Sequence, residues 1–230
     1  MTTKTASQTQ VRLSRRQVLA TALEIVDREG LEALSMRRLG AELGVDPMTI
    51  YHHAGGKERL FDGVAELLWE EVALPEASSD QIDILRKLAA SLRNLFQRHP
   101  EAAPLILRCS MLIRPQLELY RAYLDALNKS DLGGREPAVV LRSVLSYALG
   151  YGYAEISMLG VQCGPIDNQT LSERELLLNL GQALPRDIPP PLAQAAMVMI
   201  ADCDPDQCFK DGLELMLAGL ATSPDTRRAT

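Results

Sequence analysis

The side chains in this sequence that could perform covalent or metal chemistry are few. His52 and His53 are adjacent, His99 is the third imidazole, and thiols stand at Cys109, Cys163, Cys203 and Cys208. Imidazole and thiolate bind zinc and related metals when their spacing lets several converge on one ion. Neighbouring histidines on a helix point to different faces, no cysteine forms a CxxC pair, and Cys203 and Cys208 are too sparse to make a site alone. No Ser-His-acid set, no readable pair of catalytic acids and no phosphate-cradling glycine loop is present. The reading is of a protein that is not an enzyme, with no catalytic residues, no metal site and no cofactor.

Non-covalent recognition is the remaining chemistry, and charge says where to look for it. The formal net charge is −6, but it is unevenly spread. Residues 1–60 hold nine basic against seven acidic residues, while the rest of the chain holds 15 against 23. A mildly basic head on an acidic body suits a protein that meets phosphate with one end. The polar N-terminus lacks an apolar core and is not read as a secretory signal. No apolar run is long enough for a membrane span. A cytoplasmic location with reduced thiols is the expectation.

The elements that would position the head are helices. Ser14 caps the first, with Gln17 as its capping-box partner and Leu13 and Val18 placed as a hydrophobic staple. Val18, Ala22, Ile25 and Val26 recur at helical spacing until Gly30. Ser35 opens a second helix, Met36–Leu43, closed by Gly44. Asp46-Pro47 opens a third at once, because Asp accepts amide hydrogen bonds at a cap and Pro is pre-shaped for the first helical position. Two short helices joined by a glycine-containing turn form a helix-turn-helix, whose second member, Pro47–His53, would lie in the major groove. Gly55-Gly56 breaks the chain, and an amphipathic helix follows from Lys57 to about Leu74, ahead of Pro75.

The stretch Leu13–Val72 resembles the DNA-binding domain of the tetracycline-repressor (TetR) family, most specifically in LGVDPMTIYHHAGGKERL. The resemblance implies base contacts from Arg37, Pro47, Met48 and Thr49. Arg37 would pair with guanine, and Thr49 would reach a base edge or a thymine methyl. It implies phosphate contacts from Tyr51, His52, His53 and Lys57, which position the protein without specifying sequence. Arg38 reads as a plain solvent-facing charge, and Ile50 as core.

The body reads as helical, without a strand pattern: Ile82–Gln97, a short Glu101–Arg108 helix, Arg114–Asn128, a long apolar helix from Glu136 to about Leu159, Leu192–Ala201 and Asp206–Leu220. Residues 160–170 read as a loop, with a helix possible from Ser172. Pro189-Pro190-Pro191 reads as a stiff spacer. The fold class is therefore all-α: an N-terminal helix-turn-helix DNA-binding domain (13–74) and a helical effector-binding and dimerisation domain (78–221), between flexible tails at 1–12 and 222–230. The resemblance implies a homodimer paired through the Glu136 and Asp206 helices, and a small organic effector in the body. Pocket candidates are Phe96, Arg108, Met111, Arg114, Tyr120, Tyr123, Tyr147, Tyr151, Glu155 and Met158, since small-molecule sites often lie between helices; aromatic and Met residues at such spacing also serve as plain core. The family's founding members hold a magnesium–drug complex with a His of the body. Here His99, the only His after His53, falls just before the region where that ligand is expected, so a different organic effector is expected.

The resulting expectation is a regulator, a repressor released from a palindromic double-stranded DNA operator by its ligand. The alternatives are a ligand-dependent activator and a helical ligand-binding or adaptor protein without sequence-specific DNA binding.

Overall fold

The computed structural model describes residues 13–76, 80–108, 113–129, 132, 134–162, 187–200 and 204–221. The possible Ser172 helix and both tails lie outside them, as does Met111. The described elements are helical throughout, and they fall into two compact units. The first comprises residues up to Glu71 together with His99–Gln116; the second comprises Val72–Arg98 and the chain from Leu117 onward.

In the first unit, α1 (Arg15–Glu29) begins at Ser14, whose hydroxyl accepts the Gln17 amide while Gln17 Oε1 accepts the Ser14 amide at 2.8 Å. Both ends of the capping box are thus made, and two of the exposed amides of the first turn are satisfied. Val18, Leu19, Ala22, Ile25 and Val26 form its buried stripe. A single 3-10 turn (Leu31–Ala33) leads to α2 (Met36–Leu43), capped by the Ser35 hydroxyl. Gly44 ends α2 with φ 66°, a left-handed conformation that costs a Cβ-bearing residue about 1–2 kcal/mol. That turn sets the angle to α3 (Pro47–Ala54). Then comes α4 (Lys57–Glu70), which buries Leu60, Val64, Leu68 and Trp69. It stops short of Leu74. The residue before Pro75 is disfavoured as helix, and the Ala73 amide instead donates to Ser91 Oγ at 2.9 Å.

His99–Gln116 returns to this unit. Residues 100–104 are turns, and helix α6 is confined to Leu105–Arg108, because Pro104 has no amide to continue a helix begun earlier. Leu105 and Ile106 are buried, and α6 packs on α4.

In the second unit, α5 (Gln81–Arg98) buries Leu85, Leu88, Leu92, Leu95 and Phe96 on one side. Helix α7 (Arg114–Leu127) begins in the first unit and buries Leu119, Tyr123 and Leu127. The long α8 (Pro137–Gln162) lies along α5, close enough at Gly152 that an added Cβ would come within 2.7 Å of the Phe96 ring. Two further helices, α9 (Pro190–Ile200) and α10 (Pro205–Ala221), follow. The triple proline is therefore only partly a spacer: Pro190 and Pro191 open α9, where a first-turn residue needs no amide partner, and Pro189 accepts from the Leu192 and Ala193 amides. No helix among the described residues is long and apolar enough to cross a membrane.

Candidate nucleic-acid interface

The side chains of α3 sort by helical geometry into a buried and an exposed set. Asp46 accepts the Met48 amide at 2.8 Å, Pro47 occupies the first turn, and Gly55 closes the helix with φ 73°. Ile50 and Ala54 face the core of the first unit. That fixes the helix about its axis, so Met48 (64% exposed) and Tyr51 (48%) project outward, with His52 exposed and Thr49 and His53 half-buried. The seven residues Pro47–His53 thus supply a thioether, a hydroxyl, a phenol and imidazoles from one short helix.

The arginines of α2 separate. Arg38 caps nothing with its side chain; it is held by Glu29 (2.8 Å) and by Glu42, while Arg28 also reaches both carboxylates. The expectation of a plain solvated charge at Arg38 is corrected: it is half-buried in a four-residue network tying α2 to α1. Hydrogen bonds from Arg38 and then Arg28 draw the Glu29 carboxyl down to about 2. Arg37, exposed beside it, makes no ion pair among the described residues and keeps its guanidinium available. Across the Gly55-Gly56 break, Lys57 stands exposed in the first turn of α4, its ammonium 5.3 Å from the Phe61 ring.

Two basic residues that sequence reasoning passed over border the same region. Arg15, Arg59, His52 and His53 line a surface cleft of about 340 Å³ in the first unit. Arg15 is paired with Glu66 at 2.7 Å. The Arg59 side chain lies against Gly55, where an added Cβ would meet its Cδ at 2.8 Å. The available signal was the spacing of Arg59 from Lys57, which puts both in the first turn of one helix. Among the described residues, no group of three or more His, Cys, Asp or Glu could hold a metal ion.

The body candidates are not gathered into one place. Phe96, Tyr147, Tyr151 and Glu155 meet where α5, α8 and α10 join. Arg93, 7% exposed, forks onto Glu155 at 2.8 and 2.6 Å and reaches Asp206 at 2.7 Å. The Tyr147 hydroxyl donates to the Phe209 carbonyl at 2.8 Å and Tyr151 to that of Pro205 at 2.9 Å, and both rings pack on Phe209. Tyr123 is elsewhere, fully buried on α7, donating to the Ala73 carbonyl at 2.8 Å; burial pushes its phenol up to about 12. Tyr120 is half-buried on α7, and Arg114 is exposed at its start. Arg108 belongs to the first unit, 5.9 Å from the Phe61 ring. Met158 is within α8, its side chain outside the described set. Cys208 is disulfide-bonded rather than a reduced thiol, and the other cysteines lie outside the described residues.

Comparison with known proteins gives two family matches along the chain, the second of which includes the segment His99–Gln116 that packs with the first unit. Residues 18–64 match the model of bacterial regulatory proteins of the tetR family, and residues 74–223 match the tetracyclin repressor-like C-terminal domain. The class D tetracycline repressor of Escherichia coli is 27% identical over 214 residues, spanning 90% of this chain and 89% of that one. Apo ActR from Streptomyces coelicolor superposes with a TM-score of 0.69 at 28% identity, covering 90% of this chain and 94% of its own. The same protein in complex with (S)-DNPA gives 0.69 at 26% identity, covering 91% and 97%.

Proposed function

Because the chain belongs to the tetR family of bacterial regulatory proteins, and is thus a DNA-binding regulator, we propose that it is a homodimeric repressor that leaves a palindromic operator when a small organic effector binds its second unit. The observation that carries the DNA half is the exposed set on α3 beside a free Arg37. Ile50 fixes the helix, Met48, Thr49 and Arg37 are available to base edges, and Tyr51, His52, His53 and Lys57 are available to phosphates. Proline 47 shapes the leading turn that would approach the groove.

A single helix of eight residues covers little groove, so two copies reading half-sites about one helical turn apart, roughly 34–36 Å, make the recognition unit. Val139 and Tyr153 on α8 and Leu215 on α10 are 51%, 46% and 80% exposed, which supports pairing through these two helices. Ligand response is supported by the relative solved with (S)-DNPA. Release requires the effector to favour a dimer state whose reading helices do not fit the operator. A cytoplasmic location follows from this role.

Phosphate and base contacts are separable by experiment. Lys57→Ala should weaken binding to all duplexes and reduce the slope of log K against log salt by about one contact's worth, roughly 0.9. Arg37→Ala should cost about 1–3 kcal/mol on the operator and relax preference at one base position. Fluorescence anisotropy across a salt series reads both; a Lys57→Ala protein with unchanged affinity and slope would remove its phosphate role.

A further inference from the structure

One imidazole of the first unit, His99, lies outside the recognition helix. It is half-buried and stands where the chain re-enters this unit, while Glu71 stands where the chain leaves it. The His99 ring joins these two points to α1. Its Nδ1 lies 2.7 Å from Asp27 Oδ2, and its Nε2 lies 3.2 Å from Glu71 Oε2. Asp27 Oδ1 is buried with no hydrogen-bond partner among the described residues, so the ring supplies the hydrogen bond to this carboxylate.

A carboxylate only accepts, so each of these contacts needs an N–H from the ring. A neutral imidazole has one N–H and one lone pair, whereas the imidazolium has two N–H groups. With a neutral ring, one carboxylate faces a lone pair and that contact turns repulsive. An imidazole is more basic than a carboxylate, so the second proton belongs to the ring. Both arms therefore close only on the imidazolium.

The other charged groups around the ring are Arg16 and Glu24 on α1 and Glu70 at the end of α4, with Arg98 and Glu101 flanking it in sequence. Arg16 is engaged by Glu70 at 3.0 Å. A surface cleft of about 410 Å³ opens on the ring between α1 and α4, so its protons exchange with solvent.

We propose that His99 is a pH-sensitive clasp on the DNA-binding unit. Protonated, it ties α1 to the points where the chain leaves and re-enters the unit; on losing a proton it releases one arm. The unit that carries α3 is then less ordered, and DNA binding has to supply the missing order. Affinity for DNA therefore falls as pH rises through about 5–8, the range in which an imidazole changes charge. The proposal rests on DNA binding by this unit and not on the effector.

The test compares the full-length parent with His99→Gln and Glu71→Gln at fixed ionic strength, between about pH 5.5 and pH 8. Thermal unfolding is read alone, and fluorescence anisotropy is read on a duplex selected by the parent. His52 and His53 are present in all three proteins, so their contribution cancels in the differences. The melting-temperature lead of the parent over His99→Gln should be largest at about pH 6 and shrink by about pH 8. The affinity ratio of the two should shrink with it, at least roughly threefold, as the net worth of one hydrogen bond implies. Glu71→Gln separates a clasp from plain packing. Its amide can donate to the lone pair of a neutral ring while Nδ1–H still reaches Asp27, so its profiles should be flatter than those of the parent. A parent lead over His99→Gln that is the same at every pH overturns the clasp, and so does a Glu71→Gln profile identical to that of the parent. Should His99→Gln fail to fold, Glu71→Gln against the parent decides. An unfolding difference that changes with pH beside a constant affinity ratio overturns the link to DNA. A parent that selects no duplex fails the DNA reading instead, and the unfolding arm still decides the clasp.

Discussion

At the scale of single residues, the charges of α1 and α2 show how neighbours decide a side chain's role. Arg37 and Arg38 are adjacent and identical in type, yet Arg38 is committed to Glu29 and Glu42 and Arg37 is not. Consecutive helical positions point about 100° apart, so one arginine meets the acids of α1 and α2 while its neighbour faces away. Glu29 is ionised in the folded state down to about 2, below its ordinary 4.5. A carboxyl lowered by folding contributes stability above its unfolded value, and loses that contribution as pH falls from about 4.5 through about 2. Glu29→Gln should therefore flatten the acid limb of a melting-temperature profile between those values; an identical limb would mean that the network contributes nothing to stability. The base-contact expectation for Arg37 came from a family pattern and not from a local rule; the structure adds that the side chain is exposed. The Arg38 network was not legible in the sequence, because Glu29 and Arg38 become neighbours only when α1 and α2 pack.

At the scale of elements, capping chemistry carries most of what could be read in advance. Ser14, Ser35 and Asp46 each accept the amide that their position demands, and Gly44 and Gly55 end helices in left-handed conformations. These are local rules, satisfied within four residues, so sequence suffices to apply them. Asp46→Ala should destabilise the protein by about 1 kcal/mol and weaken DNA binding further, because α3 depends on that cap; thermal unfolding and anisotropy measured together would show it, and unchanged values in both would detach the cap from recognition. Elements governed by distant partners were read less well. Helix α4 ends early because the Ala73 amide is taken by Ser91, eighteen positions on, and the segment His99–Gln116 joins the first unit because α6 packs on α4. Neither contact has a sequence-local signature. The same holds for the body candidates: helical spacing placed Tyr147, Tyr151 and Glu155 on one face of α8, but it could not say that Phe209, Pro205 and Arg93 would occupy their polar and aromatic contacts.

At the scale of the whole molecule, the all-α class was legible because long apolar stripes at helical period leave no room for strands. A cleft between residues 73–76 and α5 was hidden, since its shape depends on which face of α5 those residues cover. Assembly makes a further prediction. Leu215 is, among the described residues of α10, the most exposed large apolar side chain at 80%, a surface that favours burial against a second copy. Leu215→Glu should shift sedimentation from dimer to monomer and lower operator affinity, while the helix content stays unchanged; a fully dimeric variant would place the interface elsewhere. The central claim, that paired α3 helices read a defined sequence, is tested most directly by selecting bound duplexes from a random pool with the purified protein, at stated salt and with non-specific competitor. The account predicts a recovered palindrome with half-sites about one DNA turn apart, roughly 10–10.5 base pairs. Salt-sensitive binding with no preferred sequence would contradict it.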